Sequence, residues 1–119
     1  MSHDANYLDK KVLKVFISQP MSGLSVEEVM QTRARATEII KERYPFKEIE
    51  VIDNYNHDLP DGSHPLDYLG RDILMMKDAD LVFFVKGHYG SRGCRIEHRV
   101  ADEYGLNMEF EYTMTEPEE

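Results

Sequence analysis

The sequence predicts an α/β protein, and two observations carry that prediction. Short apolar runs alternate along the chain with stretches of helical spacing, in the order β-α-β-α-β-α-β. One run, "DLVFFV" (80–85), is apolar at consecutive positions, as a strand covered on both faces requires. Alternation of this kind gives a mostly parallel sheet with helices on both sides. The expected architecture is a Rossmann-like, flavodoxin-type three-layer sandwich with a four- to five-stranded parallel sheet. With 119 residues, one domain spanning 1–119 is expected, with a core over about 12–112 and an acidic tail.

Each element has its own signal. "VLKVFI" (12–17) is short and rich in β-branched residues and reads as a buried strand. "SQPMSGL" (18–24) breaks it with Pro20 and Gly23. Ser25 and Glu28 have the spacing of a capping box. Val26, Val29, Met30, Ala34, Ile39 and Ile40 then recur near helical spacing, and Pro45 closes that helix. "EIEVIDNY" (48–55) reads as a second strand, and "NHDLPDGSHP" (56–65) as a loop. Leu66, Leu69, Ile73 and Met76 form one stripe of a second helix over 66–79, and Met75 and Met76 read as core. "RIEHRVADEYG" reads as a third helix with Gly105 at its C-terminal end. "NMEFEY" (107–112) alternates like an edge strand.

Composition narrows the partners. Apolar residues make up 41% and charged residues 31%. Lys plus Arg is 14 against 23 for Asp plus Glu, a net charge of -9, and five glutamates fall in the closing "EFEYTMTEPEE". A chain so acidic repels nucleic acid polymers and anionic membranes at long range. A small anion held by local donors remains compatible. The single Cys94 forbids an internal disulfide and suits a reducing compartment. The polar start "MSHDANYLDKK" lacks the pattern of a signal peptide, and no apolar run reaches membrane-span length. A cytoplasmic protein is expected.

Open parallel sheets bind ligands beyond the carboxyl ends of their strands. Two segments with unusual chemistry leave such ends: 18–23 and 87–97. Ser18, Ser22 and Gly23 offer donors for a ligand, or simply turn the chain. Ser91 and Gly93 offer a hydroxyl and close backbone approach before the third helix, as an anion or sugar would need; an ordinary turn has the same composition. Arg92 and Arg95 can neutralise an anion or be solvated. Glu97 falls near the start of that helix, where dipole and free amides favour an ionised carboxylate. It reads either as a glutamate favoured at that position or as a nucleophile. Asp72, inside a helix, reads as a surface aspartate or as the acid partner of Glu97 in cleaving a glycosidic bond. His57, Asp58, Asp61 and His64 are ligand types without zinc spacing, and no metal is expected. Cys94 reads as a small residue packed under the loop.

"DILMMKDADLVFFVKGHYGSRGCRIEHRVADEYGLNM" resembles the second half of the nucleoside 2-deoxyribosyltransferase superfamily. Asp72, Asp80 and Glu97 fall where that superfamily has its helix Asp, its strand-opening Asp and its nucleophilic Glu. "KVFISQPMSG" resembles its first strand and ligand loop. The similarity is closest to a small bacterial and phage branch with Gly-Pro-Met-Thr-Gly after the first strand and Gly-Trp-x-x-Ser-x-Gly-x-x-x-Glu-His before the third helix. Here the counterparts are Gln19-Pro20-Met21-Ser22-Gly23 and Gly87-His88 through Glu97-His98. Ser91, six positions before Glu97, is like the phosphate-holding Ser of deoxynucleoside 5'-monophosphate N-glycosidases. Met21 stands where those enzymes carry Arg, His88 replaces the Trp of the branch, and His98-Arg99-Val100-Ala101 replaces Leu-Gly-Tyr-Ala.

The resemblance implies an N-glycosidase or deoxyribosyltransferase acting on a (deoxy)nucleoside 5'-monophosphate. Glu97 would be the nucleophile and Asp72 the acid. Ser18, Gln19, Met21, Ser22, Gly23, Ser91, Arg92 and Gly93 would bind substrate. No metal or organic cofactor is implied, and a homodimer or higher homo-oligomer is expected. The departures at Met21 and after Glu97 motivate an alternative: a non-catalytic module binding a nucleotide-derived small molecule.

Overall fold

The computed structural model describes residues 5–55 and 58–112. His57 and the last residues of the acidic tail, 113–119, lie outside the described residues, as does the start of the polar N-terminal segment, 1–4. Four strands form one sheet: β1 (Val12–Ser18), β2 (Glu48–Val51), β3 (Leu81–Phe84) and β4 (Met108–Phe110). Their order is β2-β1-β3-β4 and every pairing is parallel. Helices α1 (Val26–Arg43), α2 (Pro65–Met76) and α3 (Arg92–Glu103) make the crossovers. This is the expected Rossmann-like α/β fold, with four strands. A short 3-10 helix at Ala5–Asp9 precedes β1 and is an element the sequence did not signal.

Alternation along the strands builds the three layers. Leu13, Val15 and Ile17 of β1 join Leu81 and Phe83 of β3 beneath Ala36 and Ile40 of α1. Phe16, Val82 and Phe84 face the other way and pack with Met76 of α2 and Ala101 of α3. β3 is therefore buried on both faces, as its unbroken apolar run required.

Helix ends follow local chemistry. Ser25 and Glu28 cap α1 reciprocally, as their spacing predicted. α3 closes with the N–H of Leu106 donating to Ala101 and that of Gly105 to Asp102, at 2.9 and 3.3 Å. That pattern needs a left-handed residue, which Gly105 supplies at φ 68°.

Three boundaries differ from expectation. β2 stops at Val51 instead of running to residue 55, because Asp53 turns the chain by accepting from the N–H of Tyr55. α2 ends at Met76 instead of 79. α3 begins at Arg92, earlier than the "RIEH" start, because Ser91 caps it. The stripes were also too generous. Val26 is 60% exposed, Leu66 is 68% exposed, and Met30 and Ala34 are exposed, while Val29, Ala36, Ile40 and Met76 carry the helix burial.

Candidate active site

In the strand order β2-β1-β3-β4 the direction of winding reverses between β1 and β3, the point beyond whose carboxyl ends open parallel sheets bind their ligands. Ser18 and Phe84 are the last register pair of those two strands. From this point Ser18 Oγ donates to Oε1 of Glu97 at 2.6 Å, and both residues are buried. Asp72, reaching from α2, hydrogen-bonds the same Glu97 carboxyl. Three segments far apart in sequence thus converge on one carboxyl pair, with Glu97 buried and Asp72 half-buried.

The environment of the pair favours holding a proton. Burial is the main force on Glu97 and pushes it up to about 8; the Ser18 hydrogen bond works against this and Asp72 adds to it. Burial also raises Asp72, to about 6, opposed by the bond to Glu97 and by the charge of Arg33. Two carboxyls in contact with little water between them cannot both be ionised cheaply, so they share one proton around neutral pH. The sequence puts Glu97 near the start of the helix, where the dipole favours an ionised carboxylate. It lies in the second turn of α3, and burial dominates.

Other expected site residues fall into place differently. Ser18 has no exposure and donates to Glu97, so it orients that carboxyl. Gln19 is 5% exposed, with Nε2 donating to the carbonyl of Val29 and Oε1 accepting from Arg33, both at 3.0 Å; it is a buried strut. Met21 is half-buried, and Ser22 and Gly23 are exposed on the loop after β1. Gly23, at φ 79°, permits the turn that Leu24 N–H to Met21 O closes. Ser91 is the N-cap of α3 and accepts from the N–H of Cys94 at 3.4 Å. Gly93 lies inside the first turn of α3, and Arg92 is exposed beside it. Arg95 braces the preceding loop by donating to the carbonyl of Tyr89 at 2.6 Å.

Cys94 is buried under the loop, and burial pushes its thiol up to about 11, which removes it as a nucleophile. Asp80 is at the opposite end of the sheet, where it accepts from the N–H of Lys14 and from Lys10. His64 is the N-cap of α2, its Nδ1 accepting from the N–H of Leu66 at 3.0 Å, and Asp58 pairs with Arg71 at 2.8 Å. Among the described residues no group of three or more His, Cys, Asp or Glu is arranged to hold a metal ion. No helix among them is long and apolar enough to cross a membrane.

A family described as a domain of unknown function, DUF4406, matches residues 13–110. The chain belongs to the DUF4406 family. No curated protein matches it. The matched span of this DUF4406 domain runs from β1 to β4 and contains every residue of the carboxyl cluster.

Two residues near the site were missed. Arg33 sits on α1 four residues after buried Val29 and three before buried Ala36, a cation on the inward stripe. That position was its signal. Asn54, 1% exposed, follows β2, and its Nδ2 donates to the carbonyl of Ile17 at 3.2 Å, extending the ladder past the end of β2. The polar pair Asp53-Asn54 directly after a strand was the corresponding signal. His88 and His98, conspicuous in the motif, pack instead with Phe84 and Phe110 in one aromatic layer, with ring centroids 5.2–6.1 Å apart.

Proposed function

We propose that this DUF4406 domain is an N-glycosidase or deoxyribosyltransferase that cleaves the N-glycosidic bond of a (deoxy)nucleoside 5'-monophosphate. The observation that carries the proposal is the pairing of half-buried Asp72 with buried Glu97, steered by Ser18, at the β1/β3 switch point. The coupling of the two carboxyls favours a covalent route, with one as nucleophile and the other as acid, over an inverting one that must hold a water between them.

The pair's single proton suits both steps. Glu97, as carboxylate, attacks C1'. The C1'–N bond breaks and its electrons go to the base nitrogen, which takes the proton from Asp72. A glycosyl ester on Glu97 results. Water, or the nitrogen of a second base, then attacks C1', gives its proton to Asp72 and regenerates the Glu97 carboxylate. Dividing one displacement into two lowers each barrier. The phosphate would meet the first free N–H groups of α3, the Ser91 hydroxyl, and the exposed Arg92 and Ser22. The proposal carries with it a cytoplasmic, homo-oligomeric enzyme.

Incubation with a panel of nucleoside and deoxynucleoside monophosphates, followed by chromatography, tests it. Wild type should release free base and Glu97→Gln should not. Stoichiometric recovery of unaltered nucleotide bound to the protein would support the binding-module alternative. Neither release nor binding across the panel would remove both.

A further inference from the structure

Glu111 ties the exits of β3 and β4 together twice. Its N–H donates to the carbonyl of Phe84 at 2.9 Å, continuing the ladder one residue past Phe110. By the same alternation, the N–H of Lys86 belongs on the main-chain carbonyl of Glu111. It goes to the side chain instead, donating to Oε1 at 2.7 Å. The displaced carbonyl accepts from Nη2 of Arg43 at 3.4 Å. A carboxylate thus closes the ladder in place of a peptide carbonyl.

That carboxylate is held from the other side by α1. Nε and Nη2 of Arg35 donate to Oε2 and Oε1 of Glu111, both at 3.0 Å, and a bidentate pair of this kind fixes the carboxylate plane. The Glu111 side chain is 8% exposed, so solvent screens the pair little. Lys86, the donor, opens the segment that leaves β3, and its ammonium lies over the Tyr112 ring, 5.4 Å from the centroid. Gly87 then turns at φ 84°, the N–H of Gly90 donates to Gly87 and that of Ser91 to His88, and Ser91 caps α3. The near end of the segment takes its place from Glu111. Its far end is anchored separately, because Ser18 holds Glu97 from β1.

We propose that Glu111, braced by Arg35, is a positioning residue that fixes the exit from β3 and so sets segment 87–91 and the Ser91 cap of α3. A ladder that ends on a peptide carbonyl can do so with any residue; this one needs a particular side chain. One consequence rests on the nucleotide-cleaving function proposed above. There the segment carries phosphate donors while Ser18 places the nucleophile, so loss of Glu111 weakens the hold on substrate more than it slows the chemical step.

Amide hydrogen exchange of the free protein, read by NMR, tests the positioning. In Glu111→Ala the amides of Lys86, Gly90 and Ser91 should exchange at least about 10-fold faster than in wild type, the scale of a lost hydrogen bond to a charged group. The amide of Ile52, which donates to Val15 in the β1/β2 ladder, should keep its wild-type rate. Glu111→Gln keeps an acceptor for Lys86 and should restore part of the protection. Wild-type exchange at Lys86 and Ser91 in folded Glu111→Ala would overturn the proposal. Should that variant fail to fold, Arg35→Met carries the same test: faster exchange at Lys86 supports the proposal and unchanged exchange overturns it. On a nucleoside monophosphate that wild type cleaves, Glu111→Ala should raise KM about 10-fold and change kcat less than about threefold. A fall in kcat with KM unchanged would overturn the link to the phosphate donors. Faster exchange in the variant without base release by wild type from any nucleotide would remove the proposed function and leave the role of Glu111 standing. Base release by wild type with unchanged exchange in the variant would do the opposite.

Discussion

Ser18 and Glu97, 79 residues apart, meet in a buried hydrogen bond of 2.6 Å. The bond ties the last residue of β1 to the second turn of α3, across the β1/β3 switch point. Because Ser18 is the donor, it stabilises the ionised form of Glu97 against the pressure of burial.

Ser18→Ala should therefore make Glu97 harder to ionise. A hydrogen bond to a charged group contributes about 1.5–3 kcal/mol, which sets a loss of roughly 10- to 100-fold in kcat/KM. The alkaline shift of the Glu97 midpoint accompanies that loss. Unchanged kinetics and an unchanged midpoint in Ser18→Ala would contradict this role.

The pair also sets a pH profile. Activity needs one proton on the pair, so the rate should fall below about 6, where Asp72 also protonates, and above about 8, where Glu97 also ionises. A bell between those limits is expected, with apparent values belonging to the pair and not to either residue. A single rising or falling limb from pH 5 to 9 would contradict it.

Stability runs against the proposed chemistry at this carboxyl pair. The folded protein holds protons on Glu97 and Asp72 above the pH at which the unfolded chain releases them. Their contribution is thus fully present at low pH and is lost as pH rises through about 6 and about 8. Glu97→Gln keeps an oxygen for Ser18 and removes the buried charge, so at pH 8.5 it should be more stable than wild type by on the order of 1–3 kcal/mol, a rise of several degrees in Tm. The difference should shrink toward pH 5. Equal Tm values at both pH values would sink the idea of a strained buried carboxyl.

Asp80 should behave in the opposite sense. Burial pushes it up, but Lys10 and the N–H of Lys14 outweigh this and hold it below the ordinary carboxylate range. Its contribution is present above the unfolded value and is lost as pH falls through the folded one. Asp80→Asn should cost about 1–2 kcal/mol at pH 7 and little in strong acid, with no effect on the pH profile of activity, because Asp80 sits at the far end of the sheet. Urea melts at the two pH values check this.

How much of this was legible depended on whether a feature is local. The four strands, three helices and the Ser25–Glu28 cap follow from periodicity and short-range chemistry. The segments leaving β1 and β3 marked the candidate site, since ligands of open parallel sheets bind beyond the carboxyl ends of their strands. Legibility failed where a long-range partner decides the role. Ser18 looks like a loop donor until Glu97 takes its hydrogen. His64 looks like a metal ligand until α2 begins beside it. Arg33 looks like a surface cation on an amphipathic helix until the Gln19 side chain and the Ile52 carbonyl take its hydrogens. The burial that raises Glu97 is set by residues from β1 and α2 and is not visible in a motif.

The most direct test of the central claim pairs two readouts on one sample: base release from a deoxynucleoside 5'-monophosphate, and the mass of the acid-quenched peptide carrying Glu97. Wild type should release base and carry a deoxyribosyl-phosphate adduct on Glu97 during turnover, while Glu97→Gln should lose release by at least 1,000-fold, on the order of the effect of deleting a nucleophile, and carry no adduct. Base release by Glu97→Gln at the wild-type rate would contradict the claim.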